Sequence, residues 1–278
     1  MNNNQQPLLI LGANGKTGRR IVQRLQASGQ NVRLGSRAAN PPFDWEDRST
    51  WAAALEGVHA AYISFQPDLA VPGALETIQA FTDQAVKNGV GKLVLLSGRG
   101  ETEAEQAERV VQNSGVDWTI LRASWFCQNF SEAHFLEPIL QGELALPVGD
   151  IAEPFVDVED IADIAVAALT ETGHSGKLYE LTGPRALTFA DAIAEIARAT
   201  NRDLSFITLP PDAYRDALVQ EQLPSGLIDL VMYLFTTVLD GRNTPVTNGV
   251  QDALGRPAKD FSDYVRRTAA TGVWNTVD

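Results

Sequence analysis

The sequence has little of what builds disulfide frameworks or metal sites. It contains one cysteine, Cys127, and three histidines, His59, His134 and His174. A single cysteine excludes an internal disulfide framework and is typical of a reducing compartment, which predicts a cytoplasmic location. Because the histidines lie far apart and lack the short spacing of zinc ligands, we expect no metal site.

Long apolar runs and an excess of positive charge are also absent. No stretch approaches the roughly 18 apolar residues that a membrane-spanning helix requires. The first residues, MNNNQQP, are polar and uncharged, which predicts a short disordered lead-in rather than a secretory signal. The formal net charge of −13 argues against nucleic acid or an anionic membrane as a partner. We expect a small-molecule partner and either a monomer or a homodimer.

Short apolar strands alternate with amphipathic helices along much of the chain. Repeated strand–helix units of this length predict a Rossmann-type α/β fold, in which a doubly wound parallel sheet is covered on both faces. After Arg122 the alternation of strands and helices becomes less regular, and residues 188–278 are mostly helical in pattern. The predicted strands are 8–11, 31–35, 59–64, 92–97 and 117–121, and the predicted helices are 16–28, 49–56, 72–88, 102–114 and 126–140.

The stretch LLILGANGKTGRR places three glycines directly after the first strand. Gly12 suits a tight turn, Gly15 allows the backbone to approach a phosphate, and Gly18 allows the helix to pack on the strand. The spacing is Gly-x-x-Gly-x-x-Gly rather than the more common Gly-x-Gly-x-x-Gly. Because a helix begins directly after this turn, the pattern predicts a dinucleotide whose diphosphate binds at the helix N-terminus.

The end of the second strand indicates which dinucleotide is bound. NAD-binding sites of this type carry an acidic residue about 20 positions after the glycines, to hold the ribose 2′-hydroxyl. This chain has Ser36 and Arg37 instead, and Lys16 lies on the turn itself. A guanidinium pairs with a 2′-phosphate, so we predict NADP(H). We interpret Arg19, Arg20 and Arg24 as a solvated helix face.

Several motifs together resemble the NmrA-like, atypical short-chain dehydrogenase/reductases. They are LGANGKTG, VRLGSR, FDWEDRSTWAAALEGVHAAYIS, GVGKLVLLSGRGE, GVDWTILRASWFCQNF and PFVDVEDIADIAVAAL. Within that family the sequence is most similar to triphenylmethane-dye and quinone reductases and to festuclavine and agroclavine dehydrogenases. The resemblance implies an NADP(H)-binding Rossmann domain over 1–182, with 123–155 contributing to the substrate pocket. It also implies a smaller, helical substrate-binding lobe over 183–278.

The resemblance also implies roles for individual residues. Those implied to bind the cofactor are Gly12, Asn14, Gly15, Lys16, Thr17, Gly18, Ser36, Arg37, Asp44, Trp45, Phe65, Gln66 and Ser97. Those implied to bind the substrate are Arg99, Trp125, Phe126 and Asn129. Ser97, Glu108 and Trp125 are the candidate catalytic residues. Core packing is the alternative interpretation for Phe65, Trp125 and Phe126. For Glu108 the alternative is a solvated surface position, and for Ser97 it is a cap at the end of a strand.

The Tyr-x-x-x-Lys pair of the parent superfamily is absent. The residues four positions after the five tyrosines are Gln66, Gly183, Leu218, Thr237 and Thr268. An ordinary ketone reductase needs the tyrosine as a proton donor, whereas a cationic acceptor takes hydride and becomes neutral without one. Catalysis then depends on the orientation of cofactor and substrate. The sequence thus favours an oxidoreductase for a small apolar or cationic acceptor, such as an iminium, a quinone or a dye.

Two other interpretations stay open. The missing pair is also compatible with a protein that senses NADP(H) and controls a partner without turnover. The same enzyme can also act as a dehydrogenase, because the cofactor ratio sets the direction. Cys127 is treated as structural, since no plausible histidine base lies nearby.

Overall fold

The computed structural model describes residues 6–275, in which strands and helices alternate as far as β6. The strands are β1 (Leu8–Leu11), β2 (Val32–Gly35), β3 (Ala60–Ile63), β4 (Lys92–Gly98), β5 (Asp117–Ala123), β6 (Glu143–Leu146), β7 (Ala152–Glu153), β8 (Lys177–Leu181), β9 (Leu187–Thr188) and β10 (Ser205–Thr208). Most of the predicted lead-in lies outside the described residues.

The α-helices differ widely in length, and the longest lie beside the main sheet. They are α1 (Lys16–Ala27), α2 (Trp51–Leu55), α3 (Ala74–Lys87), α4 (Thr102–Gln112), α5 (Leu136–Gln141), α6 (Val158–Thr170), α7 (Phe189–Thr200), α8 (Pro211–Gln220), α9 (Ser225–Tyr233), α10 (Gly249–Leu254) and α11 (Phe261–Ala269). Short 3-10 turns lie at Arg48–Thr50 and Cys127–Phe130, and a π-helical turn at Leu234–Val238 follows α9. Among the described residues, no helix is both long and apolar enough to cross a membrane.

The chain divides into two compact units that are interleaved in sequence. The first holds the described residues up to Ala123, together with Val158–Leu181 and Gly249–Arg256. The second holds Ser124–Asp157, Thr182–Asn248 and the described residues from Pro257 onward. The predicted domain boundary at 182/183 lies one residue after the point, between Leu181 and Thr182, where the chain passes from the first unit to the second. The sequence pattern gave no sign that the chain returns to the first unit at Gly249.

The first unit confirms the predicted Rossmann-type sheet. Its six strands have the order β2-β1-β3-β4-β5-β8, and all adjacent strands are parallel. β1 and β3 are buried along their whole length, as expected for strands that are covered on both faces. On one face, Leu9, Ile63 and Leu95 pack in a core that includes Ile78 of α3 and Val111 of α4. Helices α1 and α6 contact the strands as well as each other.

The arginines of α1 correct one prediction. Arg20 and Arg24 are not a solvated face, because they form ion pairs with α6. Arg20 Nε lies 2.5 Å from Glu159 Oε1, and Arg24 Nε lies 2.7 Å from Asp163 Oδ1. Part of the positive charge near the glycine turn is therefore neutralised by a helix that is distant in the sequence.

The second unit is built around an aromatic core and two small sheets. β6 pairs with β10 in parallel, and β7 pairs with β9 antiparallel. Its core contains Phe130, Phe155, Phe189 and Phe261. The predicted helix over 126–140 is wrong in its first part. Phe126 forms a β-bridge with Val156, and the backbone hydrogen bonds of that bridge hold the segment extended until the 3-10 turn begins.

Candidate functional site

The glycine turn has the geometry that its spacing predicts. Gly12 has a φ of +65°, which L-residues with a side chain rarely adopt. Its N–H donates to the carbonyl oxygen of Gly35 at 3.1 Å, and its own carbonyl accepts from Gly15 N–H at 2.8 Å. A Cβ on Gly18 would lie 2.1 Å from the Gly12 carbonyl oxygen. Glycine at position 18 therefore lets α1 pack tightly against the turn.

Helix α1 begins without a side-chain cap. Gly15 is its N-cap residue and makes no side-chain hydrogen bond, and no acidic residue lies in the first turn. The first N–H groups of a helix lack partners within the helix, and its N-terminus carries a partial positive charge. Asn14 is exposed and Lys16 half-buried at this end, whereas Thr17 is buried. The arrangement suits an anion such as a diphosphate.

The end of β2 lies beside this turn. A Cβ on Gly35 would lie 2.9 Å from the Ile10 carbonyl oxygen, so glycine permits close packing of β2 on β1. The Ser36 carbonyl accepts from Ala39 and Phe43 N–H groups, which closes a turn directly after the strand. Arg37 is exposed on that turn and forms no ion pair with any residue between 6 and 275. It is thus a cation available to an anionic ligand.

Three further predicted cofactor residues are close to one another. The Trp45 and Phe65 ring centroids are 5.0 Å apart, and Trp45 also contacts Phe81 of α3 at 5.2 Å. Both are half-buried at the edge of the core, so part of each ring is accessible. Asp44 is fixed beside them, since its carbonyl accepts the Trp51 indole N–H at 2.7 Å. Gln66 follows Phe65 and is exposed.

Two of the predicted catalytic residues contact each other at the end of β4. The Ser97 hydroxyl donates to Glu108 Oε1 at 2.6 Å, and Arg122 Nε donates to the same oxygen at 2.8 Å. Ser97 is 4% exposed and Glu108 is 2% exposed. The hydrogen bonds that Arg122 donates to Glu108 raise the pKa of its guanidinium, and the negative charge of Glu108 adds to the effect. These contacts hold both groups within the fold and favour a structural role.

Arg99 is a predicted substrate-binding residue, but its guanidinium forms an ion pair within the first unit. It is 8% exposed, and its Nε donates to Glu180 Oε1 at 3.0 Å. Its backbone N–H donates to the Ala123 carbonyl, which extends the pairing of β4 and β5 by one residue. Arg99 therefore ties the end of β4 to β8.

The remaining predicted residues belong to the second unit. The Trp125 ring lies 5.0 Å from Phe235 and 5.9 Å from Phe189, and it stacks on Phe135 at 6.5 Å. Trp125 is only half-buried, as are Phe126 and Asn129. The core-packing interpretation is thus correct for part of the Trp125 ring, and an accessible part remains.

Sequence reasoning missed one acidic residue near the end of β4. Asp68, in the loop after β3, is hydrogen-bonded to Glu101, the residue that precedes α4. Burial, followed by the charge of Asp68, raises the pKa of Glu101 to about 9. No local pattern identifies such a pair. It forms because β3 and β4 are neighbours in the sheet and their following loops meet.

Comparisons with known proteins identify the family of the chain. A family profile described as NAD(P)H-binding matches residues 12–172. A (4-alkanoyl-5-oxo-2,5-dihydrofuran-3-yl)methyl phosphate reductase from Streptomyces griseus is 32% identical, over 92% of this chain and 96% of the relative. An agroclavine dehydrogenase from Claviceps fusiformis is 28% identical, over 93% and 96%.

A solved structure shares the fold. The Citrobacter sp. triphenylmethane reductase, complexed with NADP(H), superposes with a TM-score of 0.76 at 16% identity. The match covers 94% of this chain and 99% of that one. Both the sequence relatives and this structure extend through the second unit as well as the first.

Proposed function

The chain belongs to the NAD(P)H-binding family, and from this premise we propose that it is an NADPH-dependent reductase of a small apolar or cationic acceptor. Its similarity to reductases and dehydrogenases identifies it as an NAD(P)-dependent oxidoreductase. The choice of NADPH, the acceptor class and the residue roles are our proposal. We further propose that it acts in the cytoplasm as a monomer or homodimer, with no nucleic-acid or membrane partner.

The observation that carries the proposal is the site formed by the uncapped start of α1 and the exposed Arg37. No side chain projects from Gly12 or Gly15, and no acidic residue lies in the first turn of α1. The residues present therefore fit a dinucleotide. The helix N-terminus would hold the diphosphate, and Arg37 would hold the 2′-phosphate. Trp45 and Phe65 would flank the adenosine.

When bound, the cofactor supplies the hydride. The chain itself would orient the reactants and supply the local electrostatics, because the Tyr-x-x-x-Lys pair is absent. Ser97 donates its hydroxyl hydrogen to Glu108, and Glu108 is paired with Arg122. An acceptor that is already cationic or strongly electron-poor needs no strong proton donor. In the second unit, the accessible part of Trp125 offers an apolar surface to such a molecule. The names of the relatives, a butenolide phosphate reductase and a clavine dehydrogenase, are consistent with electron-poor acceptors.

The test is an assay of NADPH oxidation against four acceptors: a cyclic iminium, a quinone, a triphenylmethane dye and a simple ketone. Calorimetric binding of NADPH is measured in parallel. We expect turnover with at least one of the first three and none with the ketone. Turnover with the ketone would show that a proton donor exists and that the mechanism is wrong. Tight binding without any turnover would favour the NADP(H)-sensing regulator.

A further inference from the structure

The loop after β3 and the start of α4 are joined by two carboxyl groups. Glu101 is the N-cap residue of α4, yet its side chain caps no N–H group of that helix. It turns instead toward Asp68 and hydrogen-bonds with it, and Glu101 is only 8% exposed. The usual reason for an acidic residue at a helix start is therefore absent here, and a contact between the buried Glu101 and the half-buried Asp68 takes its place.

Gly98, the last residue of β4, makes room for this contact. A Cβ at that position would lie 2.1 Å from Glu101 Oε1 and 2.5 Å from Oε2. The carboxyl group of Glu101 thus lies flat on the backbone of the strand end. Any side chain at position 98 would displace it, so the glycine and the buried acid depend on each other.

Asp68 is held in place from its own loop. Its Oδ1 accepts the Ala70 N–H at 2.8 Å, and the Leu69 N–H also donates to its carboxylate. Burial raises the pKa of Asp68 and these donors lower it in part, whereas the pKa of Glu101 is raised to about 9. The proton of the pair is therefore on Glu101, which donates to Asp68. The loop in which Asp68 lies also carries Phe65 and Gln66.

The charged groups that act most strongly on Glu101 are all negative. They are Asp68 on the loop and Glu103 and Glu108 on α4, and Glu108 is paired with Arg122. Burial is the largest cause of the raised pKa, and these charges add to it. At neutral pH the pair therefore keeps one proton. When that proton is lost, two carboxylates face each other in a site with little access to water.

We propose that Asp68 and Glu101 form a proton-bridged latch that fixes the loop carrying Phe65 and Gln66 to the end of β4 and so sets the affinity for NADP(H). The two acids are positioning residues, since they act through the loop rather than on the substrate. The proposal rests on the proposed function, because that function assigns Phe65 and Gln66 to the cofactor.

The direction of the pH dependence follows from the raised pKa. The ordinary pKa of a glutamate is 4.5, and that of Glu101 is about 9 in the folded protein. Stability from the protonated pair is complete below the ordinary value, declines above it, and is fully lost once the pH passes the folded value. Cofactor affinity depends only on the folded protein, so it stays constant until the latch itself ionises near pH 9 and then falls.

The experiment measures the NADPH dissociation constant by calorimetry from about pH 6 to about pH 10 in four proteins. They are the wild type, Glu101→Gln, Glu101→Ala and the control Glu56→Gln, which changes an exposed glutamate. We expect the wild-type and control constants to rise by up to about tenfold across the upper end of that range. Glu101→Gln keeps a hydrogen-bond donor to Asp68 at every pH, so its constant stays flat. Glu101→Ala binds weakly throughout.

A parallel rise in the wild type and in Glu101→Gln would overturn the latch, as would Glu101→Ala binding as tightly as Glu101→Gln. If Glu101→Gln does not fold, Asp68→Asn replaces it, because the amide then donates to the Glu101 carboxylate and also removes the alkaline loss. Thermal unfolding separates the two proposals. Glu101→Gln should melt above the wild type near pH 8 and equally near pH 4 if the pair holds a proton, whether or not NADPH binds. Equal melting at both pH values would refute the shared proton.

Discussion

Arg37 lies at the end of β2, where NAD-selective sheets of this type carry a carboxylate. Its side chain is exposed, and neither Gly35 nor Ser36 adds negative charge beside it. A guanidinium binds a phosphate through charge-assisted hydrogen bonds, whereas a carboxylate at that point repels it. The proposed preference for NADP(H) therefore depends on one side chain, and a single substitution tests it.

Replacing Arg37 with alanine should weaken NADPH binding and leave NADH binding almost unchanged. The expected loss is about 10- to 100-fold, which corresponds to about 1.5–3 kcal/mol for a hydrogen bond to a charged group. Calorimetric titration of both cofactors measures the difference. Arg48→Ala is the matched control, because it removes another exposed arginine from the same segment. Equal losses for NADPH and NADH would remove Arg37 from the 2′-phosphate.

At the scale of elements, the turn between β1 and α1 depends on glycine at two positions for different reasons. Gly12 needs a positive φ, and Gly18 needs the absence of a Cβ. Neither requirement concerns a ligand directly. Together they bring the start of α1 close to the end of β1. The helix N-terminus therefore lies at the carboxyl ends of the parallel strands.

Gly18→Ala should destabilise the protein and reduce NADPH affinity together. Its Cβ would meet backbone atoms of Gly12 and Ala13, which cannot move aside as a flexible side chain can. We expect a loss of about 1–3 kcal/mol in the free energy of unfolding, from urea denaturation. Gly149→Ala is the control, since nothing lies within 4 Å of its Cβ position. An unchanged midpoint and affinity in Gly18→Ala would show that α1 does not pack as described.

A second element-scale feature ties β4, β5 and α4 together. Glu108 on α4 accepts from Ser97 on β4 and from Arg122 on β5. Removing Arg122 leaves the buried Glu108 carboxylate without its positively charged partner, so Arg122→Ala should cost about 3–5 kcal/mol of unfolding free energy. Adding Glu108→Leu to that variant should recover part of the loss. A cost below about 1 kcal/mol for Arg122→Ala, as for a surface ion pair, would contradict this interpretation.

At the scale of the whole molecule, cofactor binding should be visible as stability. A ligand that binds only the folded protein stabilises it by about 2.7 kcal/mol at 100 times its dissociation constant. We therefore expect NADPH to raise the thermal midpoint in a concentration-dependent way. NADH at the same concentration should have a much smaller effect. Equal shifts from both cofactors would show that the protein does not select for the 2′-phosphate.

Features that depend on near neighbours in the chain could be predicted from the amino-acid sequence alone. The alternation of apolar strands and amphipathic helices predicts the parallel sheet, since both periodicities are local. The glycine spacing and the basic end of β2 lie within one strand–helix–strand unit. The dinucleotide-binding turn could therefore be predicted from the sequence. The Tyr-x-x-x-Lys pair is likewise a local pattern, and its absence argues against an ordinary ketone reductase.

Contacts between residues that are distant in the sequence depend on the fold and could not be predicted from local patterns. Asp68 and Glu101 are joined because β3 and β4 are adjacent, and Arg20 and Arg24 are neutralised because α1 packs beside α6. Phe126 is extended rather than helical because its backbone pairs with Val156. Each outcome depends on contacts between segments that are remote in sequence, and local propensity carries no information about such contacts.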